Sequence, residues 1–262
     1  MPGNDQRLLQ ISGLRVSVPG RVLVEGLEMS LSRGEFIAVL GRNGSGKTLS
    51  LLTLAGLRRP EAGTIRLGND MIGAMRRQQV AKRLALLPQD TDDIFPATVL
   101  DTALVGRHPH IGRLRWESPA DCELARESLA KVGIADLAKR DVLSLSGGER
   151  RRLAIAQVLT QAPDVYLLDE PTNHLDPQHQ VDTLRTFRRA ADGGAGVIAS
   201  LHDVNLAARV ADRCLLLFGD GRWEFGTTGE VLNEARLEAL FETAMEAVYW
   251  RDRRLFVASG ET

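Results

Sequence analysis

Gly41-Arg42-Asn43-Gly44-Ser45-Gly46-Lys47-Thr48 stands between a short apolar run, Phe36–Leu40, and a leucine-spaced segment over residues 47–57. The octapeptide fits the pattern G-x-x-x-x-G-K-[ST], and its flanks read as a buried strand before it and a helix after it. Glycines let the backbone curl so that successive N–H groups converge on phosphate oxygens, and a helix start adds partial positive charge. In that pattern Lys47 reaches the β- and γ-phosphates and Thr48 ligates Mg²⁺. The alternative is a glycine-rich turn that ends in a surface lysine. The flanking strand and helix favour phosphate binding.

Around this loop, residues 8–18 and 22–31 read as two strands of a hairpin broken at Pro19-Gly20. Short apolar runs at 84–87, 165–168, 197–199 and 214–218 read as further strands, with helical stretches between several of them. That is the pattern of a parallel α/β sheet. From 99 to 162 the segments are helix-like, best at 99–105, 119–132 and 148–161, and a loop over 107–117 carries Pro109, Gly112 and several basic residues. This region is expected to be a helical subdomain inserted in the α/β core. After Gly226 a small tail offers a helix near 234–241 and two strand-like runs. The chain shows no internal repeat or low-complexity linker.

The composition of the 262 residues, 44% hydrophobic and 26% charged, excludes disorder, collagen-like repeats and a disulfide scaffold. Lys+Arg of 33 against Asp+Glu of 34 leaves a formal net charge of -1, which argues against a protein that coats nucleic acid. Four lysines account for little of the positive charge, so Lys47 inside a glycine-rich loop stands out. Cys122 and Cys214 form no CxxC pair, as expected of a reduced cytosolic chain with no structural metal. The first ten residues hold no apolar stretch of signal-peptide length. No apolar run approaches the roughly 20 residues that span a bilayer, so work at a membrane would need another chain as anchor.

Two further motifs carry chemistry. Val165-Tyr166-Leu167-Leu168-Asp169-Glu170 is an apolar strand ending in two carboxylates. Neighbours on a strand face opposite ways, which predicts separate tasks: Asp169 for the Mg²⁺ surroundings and Glu170 for the attacking water. An exposed strand end turning at Pro171 is the alternative. Leu145-Ser146-Gly147-Gly148-Glu149 precedes an arginine-rich helix and offers a second set of free N–H groups at a helix start. A capping box between Ser146 and Glu149 would account for the same residues, and both readings can hold together. One nucleotide does not need two anion-binding helix ends from one chain, which hints at use across a dimer.

In order and spacing, Gly41-Arg42-Asn43-Gly44-Ser45-Gly46-Lys47-Thr48, Gln89, Leu145-Ser146-Gly147-Gly148-Glu149, Asp169-Glu170, Asp176 and His202 resemble an ATP-binding cassette (ABC) ATPase. The likeness runs from about residue 8 to about residue 226. It implies a P-loop NTPase (RecA-like) α/β core with an N-terminal antiparallel β subdomain and a helical subdomain inserted at about 90–162. Residues 1–226 would be the ATPase domain and 227–262 a small C-terminal tail. It further implies that Gln89 links Mg²⁺ to the helical subdomain, that Asp176 belongs to the D-loop and that His202 contacts the γ-phosphate. Asp169 would approach Mg²⁺, directly or through water, and the 145–149 signature would act in trans on the nucleotide of a second copy. Taken alone, His202 would read as a satisfied strand-end histidine.

Val105-Gly106-Arg107-His108-Pro109-His110, Glu170-Pro171-Thr172-Asn173-His174-Leu175-Asp176 and Leu201-His202-Asp203-Val204-Asn205-Leu206-Ala207 look like the ATPases that serve ferric-siderophore, haem and cobalamin importers. By itself the 107–110 segment reads as a solvated polar loop. The resemblance implies ATP and Mg²⁺, a homodimer of cassettes, integral-membrane permease subunits and, indirectly, a periplasmic or extracellular substrate-binding protein. It implies no nucleic acid. The place would be the cytoplasmic face of the inner (plasma) membrane. Two positions depart from the pattern. Val18 stands where relatives stack an aromatic ring on adenine, and Arg151 replaces the common glutamine, giving Arg150-Arg151-Arg152. That triplet is expected on a mixed, salt-bridged helix face, because three consecutive residues cannot share one face. The competing classes are a soluble ABC ATPase of translation or DNA repair and a nucleotide-gated binding module. The first usually shows paired cassettes or a long coiled coil, the second a damaged site, and neither feature is present.

Overall fold

A computed structural model describes residues 7–89, 96–112, 115–251 and 253–259. The chain opens with β1 (Arg7–Val18) and β2 (Arg21–Ser32), paired antiparallel with Val18 opposite Arg21 at the turn. β3 (Phe36–Leu40) follows, buried along its whole length, and leads through the glycine-rich loop into α1 (Lys47–Leu54). β4 (Ala62–Leu67) returns to pair with β1, and β5 (Asp70–Met71) completes a four-stranded antiparallel sheet in the order β2-β1-β4-β5. α2 (Arg77–Arg83) and β6 (Leu84–Leu87) then enter the main sheet.

The helical region comprises α3 (Val99–Leu104), α4 (Pro119–Lys131) and α5 (Gly147–Gln161). Ser118 and Asp121 form a capping box at the start of α4, helped by Pro119 at its first turn. The chain regains the sheet with β7 (Val165–Leu168), α6 (Pro177–Asp192), β8 (Gly196–Ser200), α7 (Val204–Val210), β9 (Arg213–Leu217) and β10 (Trp223–Thr227). The six strands lie in the order β10-β9-β3-β8-β7-β6, parallel except for the edge pair β9–β10. The tail contributes α8 (Thr228–Val231), α9 (Glu234–Phe241) and the hairpin β11 (Met245–Trp250) and β12 (Arg253–Ala258).

Period-two alternation divides the sheet's side chains between two cores. Phe36, Ala38, Leu40, Leu168 and Ala199 pack on one face with α5, α6 and tail residues such as Leu237 and Phe256. Ile37, Val39, Leu167 and Ile198 pack on the other with α1 and the antiparallel sheet. A third core joins Val99, Ala103, Leu129, Ile134 and Val142 of the helical region. Helix α5 belongs to two of these cores. It sends Leu153 and Ala156 into the helical one and Ala154, Ile155, Val158 and Leu159 toward the sheet. Among the described residues no helix is long and apolar enough to cross a membrane.

Candidate active site

Parallel sheets place their working loops at the carboxyl ends of the strands. Here the loops after β3, β6, β7 and β8 supply the 41–48 segment, Gln89, Asp169, Glu170, Asn173 and His202. Gly44 and Gly46 hold φ of +75° and +101° in the first of them, left-handed values that a Cβ resists. At Gly41 a Cβ would lie 2.5 Å from both the Leu217 carbonyl oxygen and Ser45 Oγ. Gly46 caps α1 without a side-chain acceptor, and the first turn carries no acid. The first N–H groups of α1 are therefore available to an anion. Ser45 Oγ is buried with no hydrogen-bond partner among the described residues. Lys47 is 5% exposed, and its Nζ donates to the carbonyls of Gly41 (2.8 Å) and Arg42 (3.2 Å). Burial pushes this ammonium below the usual lysine range, while Glu170 and Asp169 pull it back up. Arg42 itself turns outward and pairs with Glu242 of the tail.

A cleft of about 860 Å³ opens over the loop, lined by Val18, Asn43, Lys47, Thr48, Gln89, Glu170 and His202 among others. The structure thus gathers in one place residues from positions 18 to 202. Asp169 does not line the cleft. It is 2% exposed, and its Oδ1 accepts the Ser200 hydroxyl at 2.6 Å. Ser200 Oγ in turn accepts the Glu170 N–H at 2.8 Å. Strand alternation is not what separates the two carboxylates, contrary to the sequence reading. β7 stops at Leu168, and Glu170 takes a left-handed φ of +47° that turns it away from Asp169's buried position.

The Glu170 carboxylate is 8% exposed and collects donors from three loops. His202 Nε2 lies 2.5 Å from its Oε1, and Gln89 donates its amide to Oε2 at 3.1 Å. Asn173 also donates to Oε2. Gln89 thereby leaves its carbonyl oxygen for another partner. Thr48 hydroxyl and Gln89 carbonyl line the cleft, with the Asp169 carboxylate buried outside its lining; all three are oxygen donors, the type that suits a hard divalent cation such as Mg²⁺. Among the described residues no cluster of three or more His, Cys, Asp or Glu side chains could hold a metal alone.

The 145–149 segment lies outside this cleft. Ser146 caps α5, accepting the Glu149 N–H at 3.3 Å while Glu149 Oε2 accepts the Ser146 N–H at 2.7 Å. Hydrogen bonds donated by the Ser146 N–H and hydroxyl hold the Glu149 carboxyl below the usual range. The capping box is thus real, and it leaves Gly147 with open space around its Cα. Leu145 is buried in the helical core. Asp176 caps α6 through the His179 N–H at 2.9 Å and is exposed.

Of the Arg150-Arg151-Arg152 triplet, expected on a mixed, salt-bridged helix face, Arg151 instead lies buried. Arg151 is 4% exposed and holds four backbone carbonyls, while Arg150 donates to Leu143 and Leu145 carbonyls and Arg152 to that of Gly133. The polar loop of 107–110 is also pinned rather than loose. Arg107 pairs with Asp121 at 2.7 Å and donates to the carbonyls of Thr160 and Gln161 at the end of α5. Hydrogen bonds from Ser118 and Arg107 hold the Asp121 carboxyl at about 2. His110 Nε2 lies 2.9 Å from the Gln161 carbonyl oxygen. Sequence reasoning missed four contributors: Arg21, which lines the cleft beside Val18, Asn173, Ser200 and Arg151. Asn173 stood inside a quoted motif, and Ser200 closes an apolar strand, so both were within reach.

Comparison with known proteins adds a family and relatives. The ABC transporter family model matches residues 24–173. The chain is 38% identical over 236 residues to the cobalamin import ATP-binding protein of Halobacterium salinarum, covering 89% of this chain but spanning only 58% of that relative. It is 41% identical over 244 residues to the hemin import ATP-binding protein of Pseudomonas aeruginosa, covering 89% of this chain and 92% of that one. A solved chain of a transporter described as metal-chelate type, in an inward-facing conformation, superposes with a TM-score of 0.85 at 29% identity, over 97% of this chain and 98% of its own.

Proposed function

The chain belongs to the ABC transporter family, and from that premise we propose that it is the ATP-hydrolysing subunit of an importer for an iron-siderophore, haem or cobalamin-type chelate. The observation that carries the ATPase reading is the convergence of three donors on one buried carboxylate, Glu170, across a cleft from Lys47 and Thr48. A carboxylate so held can orient a water and take its proton, with His202 beside it and Gln89 spanning to the phosphate side. The 41–48 loop and Lys47 hold the phosphates. Thr48 and Gln89, with Asp169 directly or through water, surround Mg²⁺, which when bound neutralises charge on the transferring phosphate. Because 145–149 lies outside the chain's own cleft, Ser146, Gly147 and Gly148 serve the nucleotide of a second copy arranged head to tail. Asp176 stands at the start of α6 in the D-loop.

The import reading rests on the named relatives and on the motifs at 105–110 and 170–176. It places the chain at the cytoplasmic face of the inner (plasma) membrane, held there by an integral-membrane permease that receives its cargo from a periplasmic or extracellular substrate-binding protein. Residues 1–226 form the ATPase unit, with 90–162 as its helical insertion and 227–262 as its tail. The test is reconstitution with an integral-membrane permease, sought among the neighbouring genes. ATP-dependent uptake of cobalamin, haem or a ferric siderophore into liposomes is the expected outcome. A chain that hydrolyses ATP but never co-purifies with a permease would instead be the soluble, non-transport member.

Val18 sets a further expectation. It lines the cleft at the end of β1, where an aromatic ring would stack on adenine with about 1–3 kcal/mol in comparable cases. Valine covers less of the base, so Val18→Tyr should tighten ATP binding several-fold, and the wild-type chain should separate ATP from GTP only weakly. Nucleotide titration of both proteins checks this. Strong preference for ATP that the tyrosine leaves unchanged would move base recognition to another residue, with Arg21 the first to examine.

A further inference from the structure

Arg151, the fifth residue of α5, is a buried cation whose guanidinium spans two loops. Nη1 donates to the carbonyls of Pro88 (2.7 Å) and Gln89 (3.0 Å), and Nη2 to those of Asp169 (2.8 Å) and Glu170 (2.7 Å). Those four carbonyls follow the ends of β6 and β7, adjacent parallel strands paired through Leu87 and Leu168. The Asp169 N–H reaches the Leu87 carbonyl at 2.8 Å. Past that bond, where strand pairing ends, the guanidinium takes up the carbonyls with a rigid, planar set of donors. A glutamine here would carry one amide nitrogen with two N–H groups, too few for four carbonyls.

Two of the braced peptides bear the side chains that meet in the cleft, Gln89 and Glu170, at 3.1 Å. Glu170 holds its left-handed φ with its N–H fixed to Ser200 Oγ and its carbonyl fixed to Arg151. On the ATPase reading given above, we propose that Arg151 is a positioning residue for hydrolysis. It locks the Gln89 and Glu170 backbones in one relation and so aims the Glu170 carboxylate, without lining the nucleotide cleft. Because it rides on the helix that Ser146 caps, the carboxylate of one site and the segment offered to the other are held by the same element.

The test compares Arg151→Gln and Arg151→Lys in the full chain. ATP affinity should stay within about two-fold of wild type, while kcat falls about 10²-fold for glutamine, with lysine between the two. In a Glu170→Gln background, adding Arg151→Gln should lower residual turnover little further, since the carboxylate it aims is gone. Losses that multiply in full in that background, wild-type kcat in Arg151→Gln, or ATP affinity that falls in step with turnover would each overturn the proposal. If Arg151→Gln does not fold, Arg151→Lys is read the same way. Failure of both to fold makes Arg151 a fold determinant and overturns it too. A wild-type chain without ATP hydrolysis refutes the ATPase reading itself, and that is seen before any Arg151 variant is compared.

Discussion

Glu170→Gln should keep ATP binding and lose hydrolysis by about 10²–10⁴-fold, the span expected when a general base is removed. The substitution preserves size but replaces a charged acceptor with an amide that carries N–H groups of its own. Three donors now point at that carboxylate, from Gln89, Asn173 and His202, so the amide must turn one N–H toward a former donor. The loop over 41–48 donates no hydrogen bond to the Glu170 carboxylate among the described residues, and the phosphate cradle should survive. With hydrolysis stalled, Mg²⁺ and ATP should drive a stable dimer visible by size-exclusion chromatography. Turnover at the wild-type rate would remove Glu170 from the chemistry.

Ser146→Arg should abolish hydrolysis while the separate chains still bind ATP. A bulky cation there displaces the backbone donors that reach the partner's γ-phosphate. The change also removes the cap of α5, a loss of about 0.5–2 kcal/mol. Ser146→Ala loses the cap without the bulk and should remain the more active of the two. Mixing Ser146→Arg with Lys47→Ala chains isolates the trans geometry. Each mixed dimer has one composite site with both lesions and one with neither, so part of the activity should return. No return, with mixed dimers demonstrated, would count against independent composite sites.

The strand–loop–helix of 36–54 was legible because each layer of its code is local: an apolar strand, glycines at left-handed positions and a leucine-spaced helix. The strands at 84–87 and 165–168 and the helices at 99–104 and 119–131 were legible for the same reason. β4 escaped because only Ile65 and Leu67 of it are buried, too few to show alternation. α7 escaped because seven residues make barely two turns. The burial of Arg151 was missed because a run of three arginines reads as a mixed, salt-bridged helix face. Its burial depends on carbonyls contributed from residues 88–89 and 169–170, which no local window contains. The separate placement of the Asp169 and Glu170 side chains was foreseen, but its cause, a positive φ, belongs to the turn and not to the strand.

Helix α5 has a consequence for how the protein folds. The helical core draws on its Leu153 and Ala156, and the sheet core on its Ala154, Ile155, Val158 and Leu159. Neither core can close while that helix is undocked, and docking it for one presents it to the other. The helical region therefore does not behave as an independent folding unit grafted onto a finished sheet. The two share their last cooperative step, and excising residues from α3 through α5 would leave a sheet with an open flank, not a smaller stable domain.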